Sequence, residues 1–224
     1  CLEACRRASV PMAVHLDHCG SEDVIRTALD AGISSVMADG SHLDYAANVA
    51  FTRKMAALAR AQGKSVEAEL GRLSGTEDGL SVAERDARLT DPDQGADFVQ
   101  KTKVDALAVC IGNVHGHYST PPDLDFDRLS ALRQRLPLPL VLHGTSGLPD
   151  DMILQAIARG VCKFNVNTEL REAGLQATDL YVQQTRKKEL VALMTAVIDA
   201  KQAPVRAKIR LFGSRGKAGE NIRD

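Results

Sequence analysis

Short apolar runs of strand length recur along the chain, each followed by a longer segment whose apolar residues fall at helical spacing. The runs that predict strands are Ala13 to His18, Ser35 to Asp39, Ser65 to Gly71, Ala106 to Gly112, Leu138 to Gly144 and Cys162 to Thr168. Between them, Val24, Ile25, Ala28 and Leu29 form a helical stripe, as do Leu129, Leu132 and Leu136, and again Ile153, Ala156 and Ile157. Helix starts are marked by Ser21 and by Asp91 before Pro92. Strand and helix alternating in this way predict βα units on a parallel sheet. A helix-rich stretch follows from about Thr168 to Lys201, and then a basic end from Arg206 to Asp224, read as a solvated tail. No linker or low-complexity segment interrupts residues 1–224, which read as a single domain. The longest irregular stretch, Arg72 to Leu89, has the length of a lid or site loop.

Such units fit a doubly wound open sheet or most of an eight-stranded barrel, and the polar residues within the strands choose between them. In the third run, Val66, Ala68 and Leu70 share one face while Ser65, Glu67 and Glu69 share the other. In the last, Cys162, Phe164 and Val166 oppose Lys163, Asn165 and Asn167. Helices cover both faces of a doubly wound sheet, where inward carboxylates and a lysine would be costly. A barrel accepts polar inward groups near its carboxyl rim, where active sites sit. The expected fold is therefore an α/β (βα)8 TIM barrel.

Composition narrows the function. Apolar residues make up 44% and charged residues 25%, as in ordinary globular proteins. The 28 Lys+Arg and 29 Asp+Glu leave a net charge of -1, which gives no field favouring nucleic acid or an anionic membrane. No apolar run has the length of a membrane span. The 5 cysteines (Cys1, Cys5, Cys19, Cys110 and Cys162) show no CxxC spacing and read as reduced thiols, which suggests a cytoplasmic location.

Of 6 histidines, His18, His115 and His143 stand where predicted strands run out. Each alone is explained by capping a strand or bonding a loop. The three together, all beside Gly, Asp or Cys, fit a catalytic zinc site with an open position. Cys19 is a possible soft ligand but lacks a paired cysteine and fits a small inert residue as well. Asp17, adjacent to His18, could move a proton on a substrate hydroxyl, or could cap the helix that Ser21 starts. In a strict strand the two would point to opposite faces, so a bend is expected, which Cys19 and Gly20 permit. Glu67, Glu69 and Asp39 face inward as orienting groups or alternative metal ligands, or as ion-pair partners of Lys163. The segments His143 to Gly147 and Asn165 to Thr168 each end a strand before a helix, where backbone NH groups, hydroxyls and a helix N-terminus bind phosphate. Such cradles follow strands seven and eight of a barrel. Counting back, the six runs become strands three to eight, and two strands, roughly 65 residues, are expected upstream of Cys1.

HLDHC at 15–19, SVMADGSH at 35–42, VEAELGRLSGTEDG at 66–79, VDALAVCIGNVHGHY at 104–118, LPLVLHGTSGLP at 138–149 and KFNVNTELR at 163–171 together resemble the class II, metal-dependent ketose-bisphosphate aldolases. Within that family the sequence is most similar to the tagatose-1,6-bisphosphate aldolase branch. The resemblance implies zinc on His18, His115 and His143, with Asp39 or Glu69 as neighbouring or alternative ligands. It implies that Asp17 exchanges the proton of the substrate C4 hydroxyl. Glu77 would exchange the proton at the dihydroxyacetone phosphate carbon, on a loop that closes over the substrate. The triose phosphate would lie on Gly116, Gly144, Thr145, Ser146, Asn165, Val166, Asn167 and Thr168. The implied reaction is reversible cleavage of a ketose 1,6-bisphosphate to dihydroxyacetone phosphate and glyceraldehyde 3-phosphate. Fructose 1,6-bisphosphate and 6-phospho-5-dehydro-2-deoxygluconate are the alternative substrates. A monovalent cation and a homodimeric or homotetrameric assembly are also expected. Thr145 replaces the usual Gly or Ala, and Asn167 the Asp of many fructose-bisphosphate members; both departures bear on substrate choice. From outside this class, a non-catalytic barrel paralogue or a zinc hydrolase would share the fold. The two phosphate cradles argue against the hydrolase.

Overall fold

A computed structural model describes residues 1–77, 80–82, 88–118, 120–186 and 189–219, of which 74–77 and 80–82 are described by their backbone alone. The strands are β1 (His15–Cys19), β2 (Ser35–Ala38), β3 (Ser65–Leu70), β4 (Ser74–Glu77), β5 (Leu80–Val82), β6 (Ala106–Val109), β7 (Val114–His115), β8 (Leu140–Leu142) and β9 (Val161–Phe164). The helices are α1 (Leu2–Arg7), α2 (Glu22–Asp30), α3 (Tyr45–Ala61), α4 (Pro92–Thr102), α5 (Phe126–Arg135), α6 (Asp150–Ala158), α7 (Thr168–Gln184) and α8 (Leu190–Leu211).

Each of the six predicted runs overlaps one strand of a single sheet, ordered β1-β2-β3-β6-β8-β9 with every neighbouring pair parallel. Alternation divides its side chains. Val36, Ala38, Val66, Ala68, Leu70, Leu107, Val109, Leu140 and Leu142 join Ile25, Leu29, Leu129, Leu132, Ile153 and Ala156 in the main core under the helices. Met37, Ala108 and Val141 form a small separate cluster on the other face, where Glu67 and Glu69 are also buried. A flat sheet would hold its outer strands five spacings, about 24 Å, apart. Instead Asn165, just past β9, donates from Nδ2 to both carboxylate oxygens of Asp17 on β1, at 3.1 and 3.0 Å. The sheet is therefore rolled into a parallel half-barrel whose inner face is polar toward the carboxyl ends of the strands.

Helix starts follow the sequence. Ser21 accepts from Val24 N at 3.4 Å, and Asp91 accepts from Gln94 N at 2.8 Å with Pro92 at the first helical position. Asp91→Ala should cost about 1 kcal/mol and lower the thermal midpoint by roughly 2–4 °C; a calorimetric scan checks it.

Two expectations are corrected. The stretch 72–89 is not irregular throughout: β4 and β5 form an antiparallel hairpin, and β4 pairs with β7 in parallel, Gly75 opposite His115. Residues 220–224 lie outside the described residues; over its described part, 206–219, the basic end is not a free tail, since α8 continues through Leu211. Its Lys208 pairs with Glu169 of α7 at 2.9 Å, and Phe212 stacks on Phe164 of β9 with centroids 4.7 Å apart. The bend expected at Asp17 and His18 is found there, between Leu16 and Cys19 of β1.

Candidate metal centre and acid-base site

That bend brings two neighbouring side chains to one place. β1 pairs with β2 through Leu16↔Val36 and then Cys19↔Ala38, so Asp17 and His18 together oppose Met37. This is a β-bulge, and it gives His18 a left-handed φ of 38°. A non-glycine residue there carries about 1–3 kcal/mol of strain, of the kind concentrated at functional sites.

The ligand atoms of His18, His115 and His143 all lie within 4.8 Å of one another. Two nitrogens held about 2.0–2.1 Å from one tetrahedral zinc are roughly 3.4 Å apart. The tautomers favour a cation more sharply. His18 Nδ1 lies 2.8 Å from Asp39 Oδ2, and His143 Nε2 lies 2.8 Å from Glu67 Oε1. Each carboxylate takes the ring N–H, so the remaining nitrogens, His18 Nε2 and His143 Nδ1, turn their lone pairs toward each other at 2.9 Å. A single proton between them, carried by His18, satisfies both nitrogens, and a cation in its place would be held by the same two lone pairs. Burial opposes charge on His18, but its bond to Asp39 and the charges of Glu69 and Asp17 outweigh this and raise its pKa to about 9. Burial would likewise raise Glu67, yet His143 and Lys163 hold it down at about 2.

Glu69 lies outside the three-histidine group, close enough to feel the charges of His18 and Asp39. Full burial and the charge of Asp39 push its pKa up to about 8. Its Oε2 is buried with no hydrogen-bond partner among the described residues. A carboxylate oxygen left in that state suits a bound cation. The donor set therefore fits zinc.

His115 is positioned by its own loop. Asn113 donates from Nδ2 to His143 O at 3.0 Å, while Tyr118 receives Val114 N at 3.2 Å and donates to Gly144 O at 2.8 Å. Gly144 makes the approach possible: at φ +62°, a Cβ there would lie 2.3 Å from Val114 O. Gly144→Ala should lower the thermal midpoint by several degrees and weaken zinc binding, because it parts His115 from His143. Thermal unfolding with and without zinc reads both effects.

Asp17 is half-exposed and bound at both oxygens by Asn165. Among the phosphate candidates, Thr145 and Ser146 are buried, and Thr145 donates to Asn165 O at 2.7 Å. Gly116 has φ 86°, and Asn167 and Thr168 open α7, so the turn after β8 and an N-terminus of a 17-residue helix are adjacent. Val166 lies between them. The Asn165 side chain faces Asp17 and Lys163 instead of the turn. Glu77 closes β4, whose backbone lies beside His115; its side chain lies outside the described residues. His15 is a residue the sequence reading passed over. Its Nδ1 lies 2.8 Å from Ser35 Oγ, and its Nε2 stands 3.8 Å from both Asp17 and Glu67. Its two-residue spacing from Asp17 on one strand was the available signal.

Fold and cluster define the class: a metal-type centre at the carboxyl rim of a parallel α/β half-barrel. Residues 1–217 match the class-II fructose-bisphosphate aldolase family model, and the chain belongs to that family, whose members are lyases and in general zinc-dependent. The YdjI aldolase from Escherichia coli K12 is 37% identical with a TM-score of 0.85, over 96% of this chain and 75% of that one. A provisionally assigned fructose-1,6-bisphosphate aldolase from Coccidioides immitis is 34% identical with a TM-score of 0.89, over 98% and 77%. The fructose-bisphosphate aldolase of Campylobacter jejuni, 19% identical with a TM-score of 0.69 over 91% and 71%, shares the fold. No helix among the described residues is long and apolar enough to cross a membrane.

Proposed function

We propose that the chain is a zinc-dependent aldolase that reversibly cleaves a ketose 1,6-bisphosphate, tagatose 1,6-bisphosphate before others, to dihydroxyacetone phosphate and glyceraldehyde 3-phosphate. The observation that carries this is the convergence of His18, His115 and His143 beside Asp17 at one rim. His18, His115 and His143 would hold the zinc, with Glu69 or Asp39 as alternative ligands. Bound there, the metal supplies Lewis-acid stabilisation of the negative charge that develops at the ketose C2 oxygen.

The protein's residues do the rest. Asp17 Oδ takes the C4 hydroxyl proton as the C3–C4 bond breaks and returns it in condensation. Glu77, carried by the hairpin, exchanges the proton at the triose phosphate carbon, and closure of that hairpin excludes water. The phosphate sits on Gly116, Gly144 to Ser146 and the backbone of Asn165 to Thr168 at the start of α7. No lysine Schiff base is required. A monovalent cation, a cytoplasmic location and a homodimer or homotetramer complete the reading.

Preference for the tagatose epimer rests on the sequence resemblance. Fructose 1,6-bisphosphate is the second reading, favoured by the likeness to the Coccidioides immitis structure. A coupled triose-phosphate assay, run with each sugar before and after chelation and zinc re-addition, tests the proposal. Zinc-restored cleavage supports the mechanism and the faster sugar names the substrate. No turnover of either, with zinc bound, moves the function to another phosphorylated ketose or a non-catalytic role.

A further inference from the structure

Lys163 sits at a junction that neither the metal ligands nor the proton-transfer groups account for. The register of β9 against β8 passes from Leu140↔Val161 to Val141↔Lys163, so Cys162 is an extra residue and Lys163 is turned inward. Its ammonium lies 2.9 Å from Glu67 Oε2 and donates to Asn165 Oδ1 at 2.6 Å. Glu67, almost fully buried, gives its other oxygen to His143 Nε2. Asn165 gives its amide NH2 to Asp17. One cation thus stands between two branches, one ending on a histidine of the metal cluster and one on the acid-base carboxylate.

The chemistry of the amide makes the second branch directional. An asparagine side chain has a donor end and an acceptor end, and exchanging them costs nothing by shape. An ammonium has donors only, so Lys163 fixes the oxygen toward itself and the NH2 toward Asp17. Without it, a flipped amide would set its carbonyl against the Asp17 carboxylate and push that group away. On the first branch, Lys163 neutralises a buried carboxylate whose other partners are His143 and the more distant His15. A metal at the neighbouring His15, Asp17 and Glu67 donors is disfavoured for the same reason, because the ammonium already occupies Glu67.

We propose that Lys163 is a positioning residue that sets both Asp17, through Asn165, and His143, through Glu67. This rests on the aldolase reading given above. The test uses the full chain as Lys163→Met, Lys163→Arg and Asn165→Ala, alone and combined, with two readouts: steady-state kinetics on the zinc protein, and the visible absorption spectrum of the cobalt(II)-substituted protein.

Lys163→Met should lose roughly 10- to 100-fold in kcat with KM changed less than about threefold, and its cobalt spectrum should shift. Lys163→Arg should recover most of both. Adding Lys163→Met to Asn165→Ala should cost less than the product of the two single losses, since the part that acts on Asp17 runs through that amide and only the part that acts through Glu67 remains. Wild-type kcat and spectrum in Lys163→Met overturn the proposal. A fall in kcat with an unchanged spectrum, or full additivity with Asn165→Ala, overturns the joint role. If Lys163→Met fails to fold by circular dichroism, Lys163→Gln carries the same comparison. A wild-type chain that cleaves no ketose phosphate refutes the aldolase reading, while the cobalt spectrum still decides the His143 branch.

Discussion

Asp17→Asn should turn over ketose bisphosphate with kcat lowered by roughly 10²- to 10⁴-fold, the usual worth of a positioned general acid-base group. Zinc affinity should stay within about threefold of wild type. The two effects separate because Asp17 belongs to β1 but not to the three-histidine cluster. The amide is nearly isosteric and retains an oxygen that can accept from Asn165 Nδ2, so the bulge and its partner persist while the proton acceptor is lost. KM should move little, since the phosphate turns lie on other elements. Steady-state kinetics paired with a zinc titration against a chromophoric chelator decides the matter. Wild-type kcat in the variant would assign the proton transfer to another group, and His15, 3.8 Å from Asp17, would be the first to test.

The strands and the buried helix faces were legible because they depend on local alternation and spacing. Val66, Ala68 and Leu70 against Glu67 and Glu69, or Ile25 with Leu29, state their environment within one or two turns of chain. The inward carboxylates were legible too, but their partners were not. Glu67 meets His143 from 76 positions away, and Asn165 meets Asp17 from 148, and nothing local encodes either pairing. The hairpin of β4 and β5 escaped notice because its segment is rich in Gly and polar residues. It owes its pairing to β7, a strand of two residues distant in sequence. The bulge was legible because adjacent Asp17 and His18 could serve one site only if the strand bent between Leu16 and Cys19. The left-handed conformation is held by His18 itself, with Asp39 and His143 gripping both ring nitrogens. The basic end was misread because charge alone does not tell a tail from a helix. Lys208 lies largely buried against Glu169, and the apolar contact of Phe212 with Phe164 fixes the end of α8.

His143→Ala should abolish measurable zinc binding under conditions that saturate wild type, a loss of at least about 100-fold, and cleavage should vanish with it. That figure is the upper end of what losing an orienting partner alone costs, and here a ligand is removed outright. The apo protein should suffer as well. His143 is fully buried and makes the shortest of three ionic contacts to Glu67, at 2.8 Å, beside Lys163 at 2.9 Å and His15 at 3.8 Å. Truncation leaves a buried carboxylate with Lys163 as its one close partner, a cost of about 1–3 kcal/mol. Removing one partner of an isolated buried pair costs about 3–5 kcal/mol, so the smaller range measures how far Lys163 compensates. The decisive comparison is with His18→Ala, since Asp39, the carboxylate it leaves behind, still accepts from the backbone of Ser41 at 3.0 Å. Both variants should lose zinc, but His143→Ala should melt lower in the absence of metal. Equal apo midpoints would show that Lys163 alone satisfies Glu67; retained zinc binding in either variant would remove that histidine from the ligand set.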